Sequence, residues 1–264
     1  MFPCEIPILR FFYIKLFRLR LLLVIGLVAG SAFGPGLSKS ETVQSTLSNP
    51  DGSRSTQPPR MESLPPEKLL VLLREGGLII YFRHGITDWS QTDKMPLNLK
   101  QCSAQRNLSK AGQAQMEAIG RAVSVLGIRV AKVFASPYCR TLDSARLAFG
   151  RVVPESRLQY VGPMRGKRRE QQVDALRNLL AQPPPDGRNM VLIAHRGNLL
   201  EATSVDLEEG EAALFRPSVS PEGKPDFRLV GRLNQQNLES LAELETLRGE
   251  RDEECREPGR IPSA

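Results

Sequence analysis

GLIIYFRHGITDW, residues 77–89, decides how this chain folds. The unbroken apolar run Leu78 to Phe82 has the length and the branched and aromatic content of a strand buried on both faces. It stops abruptly at Arg83, His84 and Gly85. The chain holds two histidines, and the second, His195, stands in NMVLIAHRGNLL (residues 189–200) at the end of another apolar run, again beside an arginine and a glycine.

Working outward, apolar runs alternate with helical patterns. PEKLLVLLREGG (66–77) predicts a short helix stopped by two glycines. Ser109 is placed to cap a helix on which Ala111, Ala114, Ala118, Ala122 and Val125 recur at three- and four-residue steps. AKVFAS (131–136) reads as the next strand, RTLDSARLAFG (140–150) and QQVDALRNLLAQPPP (171–185) as helices, and MVLIAH (190–195) as a strand. AALFRP (212–217) and FRLVGRL (227–233) read as edge strands. This alternation predicts an α/β fold, a three-layer α/β/α sandwich with a mostly parallel central sheet.

Length and hydrophobic content, 264 residues at 41%, suit one well-buried domain with tails. Residues 1–34 carry a basic region ending FRLR, the apolar stretch LLLVIGLVAG and then small residues, the order of an export signal cleaved after Ala32. The alternative is an uncleaved anchor, but Lys15, Arg18 and Arg20 interrupt a stretch already shorter than the roughly 20 residues a membrane span needs. The protein is therefore expected outside the cytoplasm, periplasmic or extracellular, with membrane contact only through this segment if it is retained. Residues 35–63, rich in Ser, Thr, Pro and Gly, read as a disordered linker, 64–237 as the folded domain and 238–264 as a charged tail outside it, with helical spacing in its first half and disorder in its second. Of the net charge of +7, residues 1–32 supply +3 (Arg10, Lys15, Arg18 and Arg20 against Glu5), which leaves about +4. That small, dispersed excess suits an anionic small molecule and excludes nucleic acid as the expected partner.

A mostly parallel sheet exposes its reactive groups in the loops beyond the carboxyl ends of its strands. Arg83 and His84, Arg140, and His195 and Arg196 all fall at such points. The two histidines are far apart in sequence and no carboxylate flanks them at a ligand-like step, so no metal and no cofactor is expected. Phosphoryl transfer uses these groups directly. A neutral imidazole is a nucleophile toward phosphorus, and guanidiniums present paired donors to phosphoryl oxygens.

Four stretches in order, RHGITDW (83–89), LSKAGQAQ (108–115), FASPYCRTLDSA (134–145) and LIAHRGN (192–198), resemble the motifs of the histidine phosphatase superfamily, which includes phosphoglycerate mutases and many phosphatases. The resemblance covers roughly residues 77–216. It implies a phosphoglycerate mutase-like fold and a metal-independent phosphomonoester hydrolase acting on a small phosphorylated substrate. It also implies that His84 becomes phosphorylated, that Arg83 and Arg140 clamp the phosphoryl group, and that His195 bonds the same oxygens. A mutase, or a phosphate-binding protein with weak turnover, are the alternatives. Ser90 stands where mutase-like members carry Asn and is a candidate phosphate donor; Arg196 replaces a more usual glycine and is a candidate phosphate contact or a solvent-facing charge. For the proton donor, Asp88 is preferred as the carboxylate closest in sequence to His84, over Glu170 and Asp174. The basic run RGKRRE (165–170) reads as an exposed turn or as a rim that steers polyanions, and selectivity is expected in loops 90–107 and 161–172. Cys102 and Cys139 both lie beside motif residues; in an oxidising compartment a disulfide between them is expected, with two free thiols the alternative.

Overall fold

A computed structural model describes residues 64–256. The expected signal segment, the linker and residues 257–264 lie outside that range. In chain order the elements are α1 (Pro66–Glu75), β1 (Ile79–Arg83), α2 (Lys110–Val125), β2 (Val130–Ala135), α3 (Cys139–Phe149), β3 (Val153–Pro154), α4 (Gly166–Ala181), β4 (Asn189–Ala194), α5 (Arg196–Thr203), β5 (Ala212–Val219), β6 (Pro225–Leu233) and α6 (Gln235–Arg256). Among the described residues no helix is long and apolar enough to cross a membrane.

The six strands form one sheet in the order β3-β2-β4-β1-β5-β6. β1, β2, β3 and β4 run parallel; β5 is antiparallel to both β1 and β6. The sheet is thus mostly parallel, as the alternating pattern predicts. Because side chains alternate across a strand, β1 feeds two cores at once. Ile80 and Phe82 join residues of α1, α2, α3 and α6 on one face, while Ile79 and Tyr81 join α4 and α5 on the other. A strand covered on both sides must be apolar throughout, which is why the run Leu78–Phe82 has no polar alternate.

Register carries this arrangement to the site. Arg83 of β1 lies opposite Ala194 of β4, so the next residue of each strand, His84 and His195, leaves the sheet at the same level. Behind them α2 approaches closely. A Cβ on Gly112 would fall 1.9 Å from the carbonyl oxygen of Ile86, and one on Gly85 would fall 2.8 Å from Met116 Cγ, so both positions need glycine to let the helix meet the turn.

Several expectations are corrected. AALFRP is not an edge: β5 is paired on both sides, and the far edge is the two-residue β3. RGKRRE is not a turn, nor is 161–172 all loop, because α4 begins at Gly166. The domain does not stop at 237, and 238–264 is not disordered throughout. α6 continues to Arg256, with Leu238 and Leu241 buried in the core and Glu245 bridging Arg74 of α1 at 3.0 Å. The physical reason is that the first turns of α6 cover apolar surface of α2 and α1, a long-range demand that local charge content does not register.

Candidate active site

A cavity of about 490 Å³ opens where β1, β2 and β4 end, lined by Arg83, His84, Arg106, Arg140, His195 and Arg196, with Trp89, Gln91, Thr92, Asp93, Tyr160 and Gly197 completing the wall. His84 is 3% exposed and held by main-chain bonds: its N–H donates to Ala194 O (3.1 Å) and its carbonyl accepts from Gly210 N (3.0 Å). Its Nδ1 lies 2.9 Å from the carbonyl oxygen of Gly85. A carbonyl only accepts, so that bond puts the ring proton on Nδ1 and leaves the Nε2 lone pair free. Burial, and then the positive charge of Arg140, pull the His84 pKa down to about 3. The ring is neutral at physiological pH.

His195 sits with its ring centroid 5.6 Å from that of His84, nearly perpendicular to it. Its Nε2 is 2.9 Å from Ser136 Oγ, and Tyr138 and Tyr160 pack against it at 4.8 and 5.0 Å. Burial lowers its pKa well below the usual histidine range, with Arg140 and His84 adding to the effect. Tyr81, from the middle of β1, donates its hydroxyl to the His195 carbonyl (2.8 Å) and so ties the two strand ends together.

The cations are held from behind. Arg83 Nη1 donates to Leu207 O (2.9 Å), and Nη2 lies 3.4 Å from Glu209. Arg140, 2% exposed on the first turn of α3, donates to Asp93 at 3.1 and 3.3 Å and to Arg106 O at 3.2 Å. The Nε atoms of Arg83 and Arg140 are buried without a partner. The Arg106 guanidinium rests over the ring of Trp89, 4.0 Å from its centroid. Cys102 and Cys139 form a disulfide with Cα atoms 5.6 Å apart, and Gln105 Oε1 accepts from Cys139 N–H (3.0 Å), so the loop carrying Arg106 is fastened beside Arg140. Several guanidiniums around two neutral imidazoles make a site for a compact oxyanion with charge on several oxygens.

Of the residues expected from sequence, His84, His195, Arg83, Arg140 and Arg196 converge on this cavity. Arg196 is an exposed member whose guanidinium is engaged by Asp206. Ser90 and Asp88 do not converge. Ser90 is exposed and its hydroxyl donates to Asp88 (2.7 Å); Asp88 also accepts from Ser90 N–H and Gln91 Nε2, bonds that hold its carboxyl below the usual range. Its carboxylate is spent on closing the turn. Glu170 and Asp174 lie on α4 in a separate surface groove with Arg169 and Glu201.

Asp93, Arg106, Trp89, Tyr160 and Glu209 were not selected by sequence reasoning. Asp93 is the one carboxylate among the described residues that line the cavity. It lies in a loop without periodicity, where nothing local separates it from Asp88. Arg106, two residues before the LSKAGQAQ motif, had a signal in that position. Glu209 comes from the segment after α5: it accepts from Thr87 Oγ1 (2.8 Å) and Thr87 N–H (3.3 Å), and its Oε1 lies 3.9 Å from His84 Nδ1.

The family pattern described as histidine phosphatase superfamily (branch 1) matches residues 79–197, a span that holds the first three motifs and the fourth as far as Gly197, at the start of α5. No curated protein matches the chain by sequence. Among solved structures the chain is similar to a mycobacterial hydrolase (14% identity, TM-score 0.42, 58% of this chain and 97% of that one). It is also similar to a mycobacterial glucosyl-3-phosphoglycerate phosphatase in complex with inorganic phosphate (17%, 0.43, 61% and 99%) and to the protein histidine phosphatase SixA complexed with tungstate (12%, 0.40, 61% and 99%). All three TM-scores fall below 0.5.

Proposed function

We propose that the chain is a histidine phosphatase superfamily member, whose pattern it matches over residues 79–197, and that it is a phosphomonoester hydrolase working through a phosphohistidine on His84. One observation carries the reading: two buried, neutral imidazoles stand 5.6 Å apart at the heads of adjacent strands, with Arg83, Arg106 and Arg140 around them.

The Nε2 lone pair of His84 forms the N–P bond as the P–O bond to the leaving group breaks, and the electron pair leaves with that oxygen. The guanidiniums of Arg83, Arg106 and Arg140, which line the cavity, take the equatorial oxygens. His195, its Nε2 tied to Ser136 Oγ at 2.9 Å, is the further group that bonds the same oxygens. Asp93, which lines the cavity where Asp88 does not, replaces Asp88 as the proton donor: once the phosphoryl group displaces it from Arg140 its carboxylate takes up a proton, which it passes to the leaving oxygen. Water then attacks phosphorus, the N–P pair returns to Nε2, and Asp93 takes the water's proton. The expected location outside the cytoplasm rests on residues 1–34 alone, and cell fractionation of the full chain tests it.

The deciding experiment is turnover of p-nitrophenyl phosphate by wild type and His84→Ala, with acid-labile label on the protein after rapid quenching. Loss of both turnover and label in the variant is expected; unchanged turnover in His84→Ala would refute the assignment. Adding 2- or 3-phosphoglycerate and finding release of inorganic phosphate without interconversion separates a hydrolase from a mutase.

A further inference from the structure

Phosphorylation of His84 creates a charge problem. When Nε2 of the neutral ring bonds phosphorus and Nδ1 keeps its proton, the imidazole becomes positive. That charge arises in a buried site already facing Arg83, Arg106 and Arg140, the same groups that disfavour protonation of the free ring. His195, the other titratable group facing it, is neutral. The Gly85 carbonyl supplies a dipole at 2.9 Å but no net charge. Asp93 is engaged by Arg140.

Glu209 stands on the Nδ1 side of the ring. Its Oε1 is 3.9 Å from that nitrogen, its side chain is 11% exposed, and four anchors fix it: Thr87 Oγ1, Thr87 N–H, Arg83 Nη2, and its own carbonyl accepting from Gln115 Nε2 at 3.0 Å. Among the described residues it is the carboxylate paired with His84 within 4 Å. We propose that Glu209 is a positioning residue that acts through His84, offsetting the positive charge the ring acquires as it takes up the phosphoryl group. The inference rests on the phosphohistidine reading above.

In this arrangement the guanidiniums hold the phosphoryl oxygens on the Nε2 side while Glu209 supports the ring from the Nδ1 side, and the ring carries a positive charge for Glu209 to offset only while phosphorylated. Ground-state binding of phosphate places no charge on the ring and should not need Glu209. Arg83 keeps its bond to Leu207 O when the carboxylate is removed, so the clamp is retained.

The test compares wild type, Glu209→Gln and Glu209→Asp by rapid-quench formation of labelled phosphoenzyme, with inhibition by inorganic phosphate and thermal unfolding measured in parallel. Glu209→Gln is expected to slow phosphoenzyme formation about 10- to 100-fold, the size a charge removed at close range in an effective dielectric of about 20 allows after partial screening. Phosphate inhibition should change less than about threefold, and Glu209→Asp should recover most of the rate because the charge returns. Phosphoenzyme formation in Glu209→Gln at the wild-type rate overturns the inference while leaving His84 chemistry intact. So do equal losses in the Gln and Asp variants, or weakened phosphate inhibition that accounts for the lost rate. No label on wild-type protein would fell the phosphohistidine reading itself.

Discussion

Replacing Asp93 by Asn separates two effects proposed for one carboxylate. As proton donor, Asp93 matters most when the leaving oxygen is a poor one; general acid catalysis contributes about 10²- to 10⁴-fold, so kcat/KM for an alkyl phosphate such as glycerol phosphate should fall by that factor. The p-nitrophenolate oxygen departs without a proton, and kcat/KM for its phosphate should fall less than about tenfold. The second effect has the opposite sign. Asp93 occupies Arg140 at 3.1 and 3.3 Å, and a phosphoryl group reaching that guanidinium competes with it. With Asp93 27% exposed, the pair is worth at most about 1 kcal/mol. Inorganic phosphate should therefore inhibit the variant up to about fivefold more tightly. Steady-state rates on both esters and phosphate inhibition, measured on one preparation, check both effects. Equal losses on the alkyl and aryl esters, or a loss under about threefold on the alkyl ester, would remove Asp93 from the role of acid.

Further outcomes follow from burial and packing. The His84 pKa is depressed to about 3, so the unfolded chain binds this proton more readily than the folded one; the stability His84 confers is complete above about pH 6.5 and is lost as pH falls toward 3, at about 1.4 kcal/mol per unit, and His195 acts in the same direction. Urea melts between pH 7 and 4.5 measure it, and a flat profile would contradict the burial of both rings. Cys139→Ser opens a covalent loop with a sequence separation of 37 and should cost roughly 3–4 kcal/mol in denaturant unfolding, with reductant producing the same loss in wild type and none in the variant. Leu238→Ala, at 2% exposure, should destabilise by about 2–5 kcal/mol, whereas Leu247→Ala, at 45%, should stay within about 0.5 kcal/mol; equal effects would mean that α6 does not pack as described. Gly112→Ala places a methyl 1.9 Å from Ile86 O and should displace the His84 turn, seen as lost activity in protein that still shows helical circular dichroism; full activity would contradict the close approach.

The sandwich, its mostly parallel sheet and the two strand ends were legible because buried strands must be continuously apolar and reactive groups collect where such strands stop. His84, His195, Arg83 and Arg140 could be read from that logic. Asp93 could not: at nine positions from His84 it competes with Asp88 at four, and only the turn that closes Asp88 onto Ser90 and Gln91 decides between them. Glu209 was further out of reach, because its approach to Thr87 and His84 spans more than a hundred residues and depends on β5 lying beside β1. The extent of α6 was hidden for a similar reason. Its first turns carry two leucines that matter and many charges that do not.

β1 reaches its final neighbours late. Both strands that flank it, β4 and β5, are encoded more than a hundred residues downstream, so the ribosome delivers an adhesive hydrophobic ribbon long before anything exists to sheathe it. During that interval LIIYF is an invitation to stray pairing and clumping. Enzymatic competence then arrives all at once, when the last strands slot in, which makes turnover a faithful gauge of completed assembly and any truncation upstream of Leu233 a candidate for aggregation.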